Sequence, residues 1–189
     1  MREFDYIIDK INAAELLTSP YEHIWIDNFL SDEHYSQLVK NYHEQRFGSN
    51  DGDHGTSARV YWQPFKEWVQ TSNRLYDTIK TKLTATRPWD DIIRVGVDYL
   101  WDNPAHYIPC HSDAKGREVL QWHIYMPDID YKKYGTILCN IDDDRNILER
   151  KELPLTQNSF LAYGSNANAD YHYFESGERV RKSLLARYR

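Results

Sequence analysis

Apolar positions recur at helical spacing in the first half of the chain and alternate in short runs in the second, with the change near residue 90. After a short amphipathic opening, Ile24 to Phe29 (IWIDNF) reads as a strand. Ser31-Asp32-Glu33 then starts a helix with a serine N-cap and acids in the first turn, and Tyr35, Leu38, Val39 and Tyr42 keep the period to about Tyr42. A second helix is expected over Glu67 to Leu83, stopped before Arg87-Pro88. Between the two, Phe47 to Ser57 (FGSNDGDHGTS) has three glycines and no period. It is expected to be a loop inside the domain, of a length often used for lids or binding loops.

From Ile92 onward come IIRVGVDYLW, VLQWHIYM, GTILCNI, SFLAYG, DYHYFE and RVRKSLLARY, β-rich runs separated by turn residues with no helical pattern between them. Regularly spaced strands of this kind predict a sandwich, jelly roll or barrel. The expected class is mainly β with N-terminal helices (α+β). At 189 residues the chain is taken as one domain, with a helical support region carrying one or more strands over 1–90 and the β core over 91–189.

Composition narrows the function classes. The chain is 41% hydrophobic with no linker-like tract, and its formal charge of −6 argues against a surface built for nucleic-acid phosphates or anionic lipid. Its only basic run is Arg179, Arg181, Lys182, Arg187 and Arg189. Two cysteines, Cys110 and Cys139, exclude a disulfide scaffold and four-cysteine zinc patterns. The opening MREFDYIIDK lacks the continuous apolar core of a signal peptide, and no window approaches the roughly 20 apolar residues of a membrane span, so cytoplasmic residence is the default expectation.

The candidate chemistry lies in the β part. His111 and Asp113 are two apart in an extended segment, project to the same side, and can converge on one ion. Alone the pair is weak evidence, since eight histidines among 29 acids give about one such match by chance. His172, in DYHYF, offers a third donor, although a histidine among aromatics is also at home in a core. Two imidazoles and a carboxylate hold Fe(II) on one face and leave the other open for a bidentate cosubstrate and O2. His123 is the strongest competing histidine, central to its own strand, and His106 precedes the metal strand without an acid two residues on. Beyond His172, Arg181 and Ser183 share a strand face and offer a guanidinium fork and a hydroxyl suited to a carboxylate. Arg179 alternates onto that face too and competes with Arg181.

With His111-Ser-Asp113, His172 about sixty residues later, and Arg181 and Ser183 nine and eleven residues beyond, the chain resembles the 2-oxoglutarate- and Fe(II)-dependent dioxygenases, in particular their small prolyl 4-hydroxylase-like branch. HIWIDNFLSDEHYSQLV, DYLWDNPAHYIPCHSD, YGTILCNI and LTQNSFLAYG extend the resemblance over about 170 residues. It implies a double-stranded β-helix (jelly-roll) core braced by N-terminal helices. His111, Asp113 and His172 become the iron ligands, and Arg181 with Ser183 the anchor for the distal carboxylate of 2-oxoglutarate. Tyr99, Tyr107 or Tyr125 would add a hydrogen bond to the cosubstrate. The implied reaction uses O2 to decarboxylate 2-oxoglutarate to succinate and CO2 while hydroxylating an unactivated C–H bond, with ascorbate as a possible reductant and a peptidyl prolyl residue as the first substrate expected. The Phe47 to Ser57 loop, Trp62 and Trp101 are candidates for closure over the site. The chain departs from the prolyl hydroxylase pattern in having no evident peptide-binding domain and a different loop before the metal strand, which leaves the substrate open between protein and small molecule.

Two other readings fit the composition. A non-catalytic jelly-roll module would use the six tryptophans and fifteen tyrosines as stacking platforms for glycan or protein. A cupin-type metalloenzyme without a keto acid would want three histidines, with His123 replacing or joining Asp113.

Overall fold

The computed structural model describes residues 3–43, 56–59, 62–85, 89–113, 119–165, 171–175 and 178–189. In chain order its elements are α1 (Asp5–Ala13), β1 (Leu16–Leu17), β2 (His23–Ile26), α2 (Asp32–His43), β3 (Thr56–Arg59), α3 (Gln63–Thr71) and α4 (Asn73–Lys82). There follow β4 (Val95–Asp102), β5 (Tyr107–His111), β6 (Val119–Tyr125), β7 (Tyr131–Ile141), β8 (Ile147–Leu155), β9 (Phe160–Ser165), β10 (Tyr171–Glu175) and β11 (Arg181–Tyr188). Seven strands form one sheet in the order β1-β2-β9-β6-β11-β4-β3, and four form a second in the order β5-β10-β7-β8. Every strand pairing among the described residues is antiparallel. This is the expected jelly-roll class.

The period of two along each strand divides the large sheet into two chemistries. Leu120, Trp122 and Ile124 of β6 and Leu184, Ala186 and Tyr188 of β11 join the main core with Ile7, Ile8 and Ile11 of α1, Leu38 and Tyr42 of α2, Phe65, Trp68 and Val69 of α3, and Leu75, Tyr76 and Ile79 of α4. The alternate residues of the large sheet face the second sheet, where Tyr125 of β6 and Leu161 and Tyr163 of β9 pack on Leu138, Leu153 and Leu155. β11 is therefore covered on both faces, and its run RKSLLARY places Arg181, Ser183, Leu185 and Arg187 together on the inner side. Lys182, on the outer side, satisfies its ammonium with the Asp128 carboxylate at 2.6 and 2.7 Å and lies over the Trp101 ring.

Ser31 caps α2 as expected, its hydroxyl accepting from His34 N at 3.2 Å. The single helix expected over Glu67 to Leu83 is instead two. Ser72 leaves the helical region at φ −87°, ψ 90°, and its side chain accepts from Leu75 N at 3.1 Å to start α4. The apolar period runs through this break, because both helices bury the same side against the sheet. β8 (ILERKELPL) was not anticipated, its charged, largely exposed N-terminal half giving no apolar run. Thr56 and Ser57 begin β3, while positions 47–55 of the expected loop lie outside the described residues. Cys110 and Cys139 are free thiols with sulfurs 3.1 Å apart on the outer face of the small sheet. None of the described helices is long and apolar enough to cross a membrane.

Ser72→Ala separates a capped break from a continuous helix. Loss of the cap should cost about 1 kcal/mol in denaturant unfolding. A gain in stability, the ordinary result of placing alanine inside a helix, would contradict the break.

Candidate metal centre

His111 ends β5 and His172 lies in β10, and the two are direct cross-strand partners. Their ring centroids are 4.4 Å apart. Asp113, two residues past the end of β5, turns its carboxylate between them. Oδ1 lies 3.6 Å from His111 Nε2 and Oδ2 lies 3.8 Å from His172 Nε2, and the donor atoms of the three residues all fall within 4.8 Å of one another. Donors on adjacent corners of an octahedron with bonds of about 2.0–2.2 Å sit about 3 Å apart, so modest side-chain adjustment would seat all three on one ion.

The protonation states suit that role. Burial drives the pKa of His172 down to about 3, against the raising pull of Asp113, so at neutral pH it is an uncharged imidazole with a lone pair to give. His111, more exposed, is raised above the usual imidazole value by the Asp113 carboxylate beside it, with burial opposing. Asp113 is pushed up by burial, but His111, His172 and Arg187 together outweigh that and hold it well below the ordinary carboxylate range. His111 Nδ1 lies 2.7 Å from Pro109 O, which assigns the proton to Nδ1 and leaves Nε2 as the donor atom facing the cluster. Asp113 Oδ2 is buried with no hydrogen-bond partner among the described residues. A buried carboxylate oxygen between two imidazoles suits a cation.

A second polar group lies on the inner face of β11. Arg181, 3% exposed, sits over the Phe174 ring at 4.1 Å and the Tyr125 ring at 5.5 Å. Its Nη2 donates to Thr136 Oγ1 at 3.2 Å, and its Nη1 lies 3.6 Å from Oδ2 of Asp102, its cross-strand partner. Thr136 Oγ1 in turn lies 2.6 Å from Tyr125 OH. Thr136 reaches this place because Gly135 runs against β8, where a β-carbon would overlap the carbonyl oxygens of Pro154 and Leu153. Arg181 Nε and Ser183 Oγ are buried with no hydrogen-bond partner among the described residues, so one guanidinium edge and one hydroxyl stand ready for a further oxygen ligand.

The structure thus brings Arg181, Ser183 and Tyr125 together, Ser183 and Tyr125 being cross-strand partners. Of the other tyrosines weighed, Tyr99 points into the helix layer, packs on Tyr42 and donates to Leu38 O at 3.4 Å. Tyr107 is 54% exposed on an edge strand. Arg179 is exposed over Tyr131 and takes no part in the buried group. His123 is outside the donor cluster. It stacks between Tyr125 and Tyr163, and burial lowers its pKa well below the usual value, with Arg181, Arg187 and His172 adding to the effect. His106 lies 3.8 Å from Asp102. Trp62 and Trp101 pack with the helix-facing core and do not close over the site. Sequence reasoning missed Asp102, Thr136, Tyr163 and Arg187. Arg187 alone had a usable signal, standing two strand periods beyond Ser183 on the same face.

No family model matches the chain, and no curated protein matches it by sequence. Solved structures do match its fold. A prolyl-4-hydroxylase from Pseudomonas putida superposes with a TM-score of 0.60 at 11% identity, covering 98% of each chain. A prolyl hydroxylase from Trichoplax adhaerens, in complex with a hypoxia-inducible factor peptide fragment, gives 0.58 at 11% identity over 99% of this chain and 89% of that one. The alpha-ketoglutarate-dependent epimerase SnoN of nogalamycin biosynthesis gives 0.56 at 10% identity over 98% and 82%. At such identities the likeness establishes the fold.

Metal affinity should depend on pH through His111. Its raised pKa keeps a proton on the imidazole to higher pH, and an ion must displace that proton. Affinity for Fe(II) or Mn(II), titrated anaerobically between about pH 6 and 8, should therefore fall on acidification. His172 contributes nothing to the slope, being neutral throughout. A flat profile, or full metal content in His172→Ala, would contradict the assignment.

Proposed function

We propose that the protein is a 2-oxoglutarate- and Fe(II)-dependent dioxygenase, a hydroxylase folded as one domain over 1–189. The observation that carries this reading is the convergence of His111, Asp113 and His172 on one point within a jelly roll that also buries Arg181 with an unsatisfied Nε. Bound iron would supply the redox chemistry by which O2 converts 2-oxoglutarate to succinate and CO2 and places one oxygen atom in a substrate C–H bond.

The chain's own residues supply binding and exclusion of water. The two histidines and the carboxylate would hold the ion, with positions left over for the keto acid and O2. Arg181 takes the distal carboxylate. Two of its arms are held by Thr136 and Asp102, so the incoming group meets Nε and the Ser183 hydroxyl. Tyr125 acts through Thr136, fixing the hydroxyl that in turn fixes the guanidinium. Leu138 and Leu161 pack with Tyr125 and Tyr163, apolar cover that would exclude water and so strengthen the charged contacts beside it. The sequence resemblance makes a peptidyl prolyl residue the first substrate to try, as the names of two hydroxylases of like fold do, and leaves the substrate open between protein and small molecule. Ascorbate would serve only to keep the metal reduced. The cupin alternative would need His123 as a ligand, and His123 is outside the donor cluster.

Anaerobic addition of Fe(II) and 2-oxoglutarate should produce the weak visible charge-transfer band of a bidentate chelate. Arg181→Ala should weaken keto acid binding by at least about 2 kcal/mol, roughly thirtyfold, because a buried charge-paired hydrogen bond is lost. An unchanged affinity would remove Arg181 from the anchor role.

A further inference from the structure

β11 carries a second inward arginine six residues after the first. Arg187 differs from Arg181 in its exposure and in which of its nitrogens are engaged. Its side chain is 34% exposed where that of Arg181 is 4%. Both of its polar contacts run through Nε, to Gln121 Oε1 at 3.4 Å and to Asp113 Oδ2 at 3.8 Å, so the terminal amino groups of the fork have no partner among the described residues. Across β4 its partner is Gly96, which presents no side chain to it; a β-carbon there would stand in ordinary contact with Asp98 Oδ2 at 3.7 Å.

Arg187 also belongs to a row. Gln121 on β6 is its cross-strand partner, and Tyr163 on β9 is the partner of Gln121. Gln121 is 1% exposed and Tyr163 fully buried, yet Gln121 Nε2 and Tyr163 OH have no hydrogen-bond partner among the described residues. Buried polar atoms are seldom left unpaired in a native protein; a ligand or an ordered water completes them. The row borders the metal cluster at both ends, Arg187 against Asp113 and Tyr163 edge-on to His172 at 5.2 Å between ring centroids. Its unpaired groups are a guanidinium fork, an amide N–H and a phenol O–H, all hydrogen-bond donors. Such a set answers an acceptor carrying negative charge, and the fork suits a planar carboxylate.

Resting on the iron-oxygenase reading, we infer that Arg187, Gln121 and Tyr163 form the subsite for the primary substrate, and that this substrate is a small molecule with a free carboxylate, such as an amino acid. The carboxylate seats on Arg187 and Gln121 and holds the rest of the molecule beside the open face of the metal. A prolyl residue inside a peptide offers no such group. Arg187 is thus a specificity-determining residue, separate from the cosubstrate anchor on the same strand.

The probes are the proteinogenic L-amino acids, their carboxamides and a prolyl peptide, added to the anaerobic complex with Fe(II) and 2-oxoglutarate while its visible band is followed. Succinate release and a one-oxygen mass gain are then measured in air. One or more free acids should perturb the band and become oxygenated, with the matching carboxamide binding about tenfold or more weakly. Arg187→Gln should erase that preference, Arg187→Lys should restore part of it, and Gln121→Leu should reduce it. The loss in acid affinity should exceed any change in keto acid affinity by at least fivefold. Equal binding of acid and amide, a response to the prolyl peptide alone, no response to any free acid, or a preference that survives Arg187→Gln would each overturn the subsite. A wild-type protein that forms no band with iron and 2-oxoglutarate would sink the underlying reading and this inference with it. A band without any response to the acids sinks only the inference.

Discussion

The cross-strand pairing of His111 with His172 is the contact on which the site depends. It sets two imidazoles side by side at the edge of the small sheet, their planes tilted by 53°, with Asp113 turned between them, and buries His172 in the process. Three donors in so small a volume are costly without an ion, since burial disfavours charge on His172 while Asp113 remains ionised. The sheet pays that cost through its hydrogen bonds, and a cation would recover it. The inward polar residues of β11, β6 and β9 follow from the same arrangement, because the two sheets enclose the space these donors face.

The large sheet shows how a protein can carry such a polar interior. Its outer face is sealed against four helices by Trp122, Ile124, Phe160, Leu184 and their neighbours, and burial of this kind contributes about 25 cal/mol per Å² of apolar surface. The inner face is then free to hold Arg181, Ser183, His123, Gln121 and Arg187 at the expense of stability. Charge is managed locally: Arg181 by Asp102, Thr136 and two aromatic rings, Arg187 by Asp113 and Gln121. Arg181 Nε still has no partner among the described residues, a cost that an incoming ligand would offset.

Much of this was legible in the chain because strand periodicity carries sidedness. His111 and Asp113 two apart, and Arg181 and Ser183 two apart, announce shared faces whatever the fold. The cross-strand partners are another matter. Nothing in GTILCNI marks Thr136 as the residue that reaches Arg181, and nothing in VDYLWD marks Asp102 rather than Asp98 as its ionic neighbour, because register between distant strands is a tertiary property. Tyr99 is the instructive case. It stands three residues before Asp102 on β4, an odd offset that turns it onto the helix side, but the offset has meaning only once Asp102 is known to pair with Arg181. The break at Ser72 was hidden for a different reason, since two helices packed on one sheet keep a common apolar phase, and only the cap chemistry of serine hints at the interruption.

The central claim is that one metal ion joins residues from two paired strands and a turn. It is tested most directly by a crystal structure of the protein with Mn(II) in place of iron and 2-oxoglutarate bound, using anomalous scattering to locate the metal. A single peak within about 2.0–2.3 Å of His111 Nε2, His172 Nε2 and an Asp113 carboxylate oxygen is the expected result. A peak elsewhere, or one that draws in His123 while Asp113 stays outside coordination distance, would contradict it.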